Sequence, residues 1–159
     1  MGIVIWIFIF FQPSPQEQFI ERFAPLAIEE MRIFGIPASV TLAQAILESN
    51  SGRSHPALYW DNFFGMHCHK KTHKLECAPY VDAGDSCRLY VYQTEWHSFR
   101  AHSAHITQGR YKTLPKLCGK NPWSWCNKLQ EFGYSTDPDY SWKLGTIIKT
   151  FNLTKYDHE

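Results

Sequence analysis

The stretch from Pro37 to Ser49, "PASVTLAQAILES", constrains this chain more than any other. Val40, Ala43 and Leu47 recur at helical spacing, and Leu42, Ala45 and Ile46 widen them into a broad apolar stripe. The spacing predicts a helix that starts near Pro37, buries most of its surface and stops at Ser51-Gly52. Its last turn nevertheless carries a carboxylate, Glu48, where leucine or alanine would suit the pattern better. Desolvation and the negative end of the helix dipole both disfavour ionisation there, so the carboxyl is expected to hold its proton above the ordinary range. The competing reading is a solvated glutamate at a frayed helix end.

Other helices follow from similar signals. Ser14, Pro15 and Glu17 make a capping-box start for a helix whose apolar positions Ile20, Phe23, Ala27 and Met31 keep helical spacing. Pro25 is expected to kink or split it, and Gly35 to stop it. From Asn62 to about Val91 the pattern turns to Pro, Gly, His, Cys and short alternating pieces such as "RLYVY", which predict a loop and a small β-hairpin. Helical patterning returns at "TEWHSFRAHSAHI", at "NPWSWCNKLQEFG", where Asn121 caps and Gly133 stops, and at "DPDYSWKLGTIIKTFNL". In the last of these Leu144, Ile147, Ile148 and Phe151 form one stripe, with Asp137-Pro138 read as cap and first turn. The fold class expected is α+β, mostly helical, with a small β insertion.

At 159 residues the chain suits one domain with one core. Sixteen Lys and Arg against fifteen Asp and Glu leave no field to recruit nucleic acid, and none is expected as a partner. The plentiful Trp, Tyr and Phe suit stacking on flat apolar faces such as those of sugar rings. "MGIVIWIFIFF" at the start is too short for an ordinary membrane-spanning helix and runs straight into the breaker "QPSPQ". It resembles the apolar part of a secretion signal, without a preceding Lys or Arg or a following A-x-A site. Residues 1–13 are therefore read as a signal or weak-anchor remnant, with residues 3–11 touching a membrane, and residues 14–159 as the folded domain. Five cysteines, Cys68, Cys77, Cys87, Cys118 and Cys126, suit an oxidising compartment. Cys118 and Cys126 are candidates to pair, as are two of the first three. "HCHKKTHKLEC" offers His67, Cys68, His69, His73 and Cys77 in one short span, but the spacing fits no common zinc module, and no metal is assigned. His97, His102 and His105 are read as packing or surface residues, and Glu95 as a first-turn helix charge.

Three separated motifs, "GIPASVTLAQAILESNSGRS", "NFFGMHCHK" and "GYSTDPDYSWKLGTIIKTFNLTKYD", occur in order. Together they resemble the bacterial β-N-acetylglucosaminidase family that cleaves peptidoglycan, the relatives of flagellar rod-associated hydrolases and autolysins. The resemblance runs from about residue 17 to the end. It implies a lysozyme-like fold, a helical lobe and a small β-hairpin lobe with a sugar-binding groove between, acting on peptidoglycan glycan strands as a monomer without cofactor, in the periplasm or secreted. Glu48 matches the family's catalytic acid, the group that protonates a glycosidic oxygen. Tyr134 matches a tyrosine that assists catalysis, while Asn62 and Phe63 match the N-x-F-G turn that floors the groove. Tyr140 reads equally as groove or core. Many relatives carry a second glutamate on the hairpin, whereas this chain has "YVDAGDSCRLYVY". Asp85 or Asp82 takes that role, or Glu76 does, or the acetamido group of the substrate acts instead; a solvated hairpin turn is the plain alternative for "DAGD". Two rival functions stay open: a lytic transglycosylase giving an anhydro-muramic product, and a non-catalytic peptidoglycan-binding domain.

Overall fold

The computed structural model describes residues 12–68, 76–82 and 85–158, and the side chains of Asp82 and Asp85 are outside that description. The apolar leader at residues 1–11, and His69 and His73 of the histidine-rich loop, also lie outside it. Among the described residues no helix is long and apolar enough to cross a membrane.

Helix α1, Pro15–Phe34, begins with the expected capping box: the Ser14 hydroxyl accepts from the Glu17 N–H and the Glu17 carboxylate accepts from the Ser14 N–H at 2.7 Å. Pro25 does not split it: the helix runs unbroken from Pro15 to Phe34. Pro25 lies on the exposed face, where water can take the carbonyl that loses its partner. Helix α2, Ala38–Ser49, is buried almost all round and packs against α1, against α6 (Pro122–Glu131), against α7 (Tyr140–Thr150) and against a C-terminal 3-10 turn, Leu153–His158. It is the central element of the core.

Between α2 and the sheet lies a short helix that the sequence reading overlooked, α3, His55–Trp60, capped by the Ser54 hydroxyl. Strands β1, Glu76–Asp82, and β2, Asp85–Val91, pair antiparallel with Asp82 opposite Asp85. The hairpin is tied down at several points. Tyr92 N–H donates to Trp60 O at 2.8 Å, Tyr90 N–H to Met66 O at 3.0 Å, and Cys68 forms a disulfide with Cys77. That bond joins two of the five residues considered for zinc. The expected pairing of Cys118 with Cys126 is absent: both are thiols buried in the core, and burial pushes Cys126 up to about 12. Helix α4, Glu95–His105, and a second overlooked helix, α5, Leu114–Cys118, complete the set.

The last helix starts two residues later than expected. Asp139 is its N-cap, and Asp137 instead accepts the Asp139 N–H at 2.9 Å and pairs with Lys143. Pro138 serves as an acceptor for the Gln130 amide.

Pro37 has no side chain able to cap α2, and the cap comes from the far end of the chain. The Asp157 carboxylate accepts from the Ser39 N–H at 2.8 Å and from the Ser39 hydroxyl at 2.7 Å. A carboxylate there satisfies an orphan donor and meets the positive end of the helix dipole. Asp157→Ala is expected to lower stability by about 1–2 kcal/mol, read by urea unfolding. No change in the midpoint would show that α2 does not depend on this cap.

Candidate active site

Glu48 leaves α2 one residue before the helix ends, and the local backbone decides where its carboxyl goes. Asn50, Ser51 and Gly52 are consecutive left-handed residues with φ of 50°, 56° and 75°. Left-handed backbone is costly for Ser51, so the turn must be held by its surroundings. The Ser49 hydroxyl donates to Ala45 O and accepts from the Gly52 N–H at 2.7 Å. A Cβ on Gly52 would come within 3.1 Å of the Phe19 ring, so only glycine lets α1 approach this closely.

The carboxyl of Glu48 is largely desolvated, and burial holds its pKa above the ordinary carboxylate range. One hydrogen bond opposes this: Tyr140 O–H donates to Glu48 Oε1 at 2.8 Å. Tyr140 is 2% exposed, which places it in the core with its hydroxyl at the acid. Gln44, one helical turn before Glu48, donates its amide to the Tyr140 oxygen at 3.0 Å. That donation commits the single phenol proton to Glu48 and leaves Oε2 as the oxygen on which the acid's own proton can sit. Gln44 Oε1 is buried without a partner.

Tyr134 follows Gly133, whose φ of 72° turns the chain back after α6. Its ring stacks on Tyr140 with centroids 5.5 Å apart and 25° between planes. It meets His102 edge-on at 6.1 Å and lies 6.3 Å from Tyr111. Burial, and then the nearby Glu48 carboxyl, push the Tyr134 phenol well above its usual pKa, with Tyr111 and Tyr92 adding to the rise. It is therefore a neutral hydroxyl beside the acid. His102 is fully buried, stacked on Phe64 at 3.8 Å, and burial pushes it down to about 3, so it backs Tyr134 as a neutral ring. Its reading as a packing residue holds.

Asn62 and Phe63 lie under the hairpin. The Asn62 amide donates to Met66 O at 3.1 Å and Tyr90 O at 2.9 Å and accepts from the Met66 N–H at 2.9 Å. The Phe63 ring packs among Phe19, Phe23 and Phe99. Asn62 holds the turn and its junction with β2, while Phe63 seats the turn against α1 and α4. Asp82 and Asp85 stand where the two strands meet, and Glu76 is exposed at the other end of β1. Glu95 forms a surface ion pair with Arg22.

Sequence reasoning missed Gln44, Tyr92 and Tyr111. For Gln44 a signal existed: it lies four residues from Glu48 on a mostly apolar helix, the spacing that puts two side chains on one face. The tyrosines carried none, because only the fold brings them together.

A family model described as mannosyl-glycoprotein endo-β-N-acetylglucosaminidase matches residues 24–153. The chain belongs to this glucosaminidase family. Among curated proteins it is similar to exo-glucosaminidase LytG of Bacillus subtilis, 30% identical over 151 residues, covering 89% of this chain and 54% of that one. It thus spans about half the length of that relative. Among solved structures, the catalytic domain of the autolysin Auto from Listeria monocytogenes aligns with a TM-score of 0.75 and 25% identity over 92% of this chain and 89% of that one. A peptidoglycan hydrolase from Sphingomonas sp. A1 aligns with a TM-score of 0.69 and 26% identity over 87% and 91%. The glucosaminidase architecture, helices around a central α2 with a small antiparallel hairpin, is the lysozyme-like fold that the resemblance implied.

Proposed function

We propose that this glucosaminidase is a peptidoglycan hydrolase that cuts the β-1,4 bond following N-acetylglucosamine, with Glu48 as general acid. The observation that carries the reading is a largely desolvated carboxyl at the end of α2, its pKa raised by burial and its position set by Tyr140, in a domain of this family. The named relatives support the substrate: one is an exo-glucosaminidase, another a peptidoglycan hydrolase. A site of action in the cell envelope, periplasmic or secreted, and action as a monomer go with it.

Glu48 Oε2 delivers its proton to the glycosidic oxygen as the bond breaks, and the Tyr140 hydroxyl stabilises the carboxylate left behind. Tyr134 presents a neutral phenol to the reacting sugar. Asn62 and Phe63 act by setting the floor on which the sugar lies. Water completes the cleavage at the anomeric carbon: Asp85 or Asp82 on the hairpin takes its proton as it attacks, or the acetamido oxygen of the substrate first closes on that carbon and the Glu48 carboxylate then deprotonates the water that opens it. Mass spectrometry of digested cell wall tests the assignment. A reducing N-acetylglucosamine end is expected, and an anhydro-muramic end would replace this reading with a transglycosylase.

The pH profile supplies a second check. A general acid works only while protonated, so kcat/KM falls as pH rises through the pKa of Glu48. Tyr140→Phe removes the hydrogen bond that lowers this pKa, so the alkaline limb is expected to move to higher pH. It should also destabilise the protein by about 1–3 kcal/mol, because the Gln44 amide loses its acceptor. An alkaline limb that moved to lower pH would mean that Tyr140 does not stabilise the ionised acid.

A further inference from the structure

Helix α7 has two faces. Tyr140, Leu144 and Ile148 are buried, on the stripe that carries the hydroxyl at Glu48. The opposite face, with Trp142, Gly145 and Lys149, joins Trp123 and Asn127 of α6 around a cavity of about 440 Å³. A second cavity of about 710 Å³, lined by Arg32 and Lys120 and also by Asp157, whose carboxylate is engaged by Ser39, shares Trp123 as a wall. Neither cavity is lined by Glu48, Tyr134 or Tyr140.

The chemistry of this double cleft is specific. Trp142 is 70% exposed and Trp123 39%, and the two large rings line the same cavity. Gly145 stands mid-helix, where it weakens α7, and the six-membered ring of Trp123 lies alongside it, 3.6 Å from where a Cβ would stand. Between the rings are polar groups. The Ser141 hydroxyl donates to Asn127 Oδ1, which leaves the exposed Asn127 NH₂ to face a ligand. The Gln130 amide is occupied at both ends, by Pro138 O and the Ser141 N–H, and holds the rim in place. Lys149 lies 5.3 Å over the Trp123 ring. Among the described residues Lys149, Lys120 and Arg32 have no carboxylate partner.

We propose that this face is a second glycan-binding site, remote from the acid, that holds a strand of cell-wall glycan carrying carboxylate-bearing stem peptides. The C–H faces of pyranose rings stack on Trp142 and Trp123, the Asn127 NH₂ donates to an acetamido carbonyl, and Lys149, Lys120 and Arg32 meet the stem carboxylates. The identity of this ligand rests on the function proposed above. The site serves retention on an insoluble wall, so short soluble fragments do not need it.

The test separates the two claims. Co-sedimentation with purified sacculi is measured in a Glu48→Gln background, where no turnover intervenes, with and without Trp142→Ala plus Asn127→Ala. Both positions are exposed, and thermal melting confirms that the fold is retained. Retention is expected to fall at least fivefold, and Trp142→Tyr alone to keep most of it. With Glu48 restored, the double variant is expected to degrade a short soluble wall fragment within twofold of the native rate and sacculi at least fivefold more slowly. Unchanged retention in the Trp142 and Asn127 variant would overturn the proposal, as would retention that vanishes once anionic polymers are stripped from the sacculi. If native protein cleaves no wall yet retention still depends on Trp142, the proposed hydrolysis fails and the binding site stands.

Discussion

Glu48→Gln is expected to lower turnover of cell wall by at least about a thousandfold, some 4 kcal/mol of transition-state stabilisation. Glutamine has the shape of the protonated acid and can still accept from Tyr140, but it has no proton to give. The loss should appear in kcat, with binding of the wall preserved. Stability should move the other way. The folded pKa of Glu48 is raised, so below its unfolded value the group is neutral in both states and carries no penalty. As pH rises toward and through the folded value, native protein must either hold a proton that the unfolded chain releases or bury a charge, and it loses stability. The melting temperature of Glu48→Gln should therefore equal or exceed that of native protein, with the gap wider at pH 8 than at pH 4. Full activity in the variant would remove Glu48 from the chemistry. A variant that failed to fold would make Glu48 a structural residue.

The second large effect is expected far from the site. Glu30 of α1 is 0% exposed, and its Oε1 accepts from Arg100 Nε of α4 at 2.7 Å, while Oε2 has no partner. Arg100 also donates to Glu29 at 2.9 Å and lies 4.5 Å over the Trp96 ring. Arg100→Met strands a buried carboxylate beside an oxygen that is already unpaired. The cost should be about 3 kcal/mol, at the low end for a buried pair because Arg100 is 28% exposed. Glu30→Met combined with Arg100→Met should recover much of it, since the double replacement removes the stranded charge. Urea unfolding of the two single variants and the double variant reads the coupling. A loss below about 1 kcal/mol in Arg100→Met would mean that water reaches Glu30 and the pair adds little.

Much of this could be read in the chain because it is local. Ser14, Pro15 and Glu17 satisfy each other within one turn, Asn121 caps the next two N–H groups, and the alternation of "RLYVY" becomes β2. Glu48 stood out because it interrupts its own helix pattern. The short helices α3 and α5 went unread although Ser54-His55-Pro56 and Leu114-Pro115 carry local signals, since five or six residues show too little periodicity to separate a helix from a loop. That Pro25 leaves α1 unsplit could not be read from the chain, because it depends on whether the freed carbonyl faces water, which position along the chain does not say.

Short-range chemistry thus suffices for the helix starts, for the placement of an acid at the end of the most apolar helix and for membership of a family defined by such motifs. Contacts between residues distant in sequence set the rest. The Glu48 carboxyl is oriented by Tyr140, 92 residues away, and the start of α2 is capped by Asp157, 118 residues from Ser39. A pKa or a cap depends on desolvation and on partners within about 3 Å. Neither exists until the chain has closed around α2.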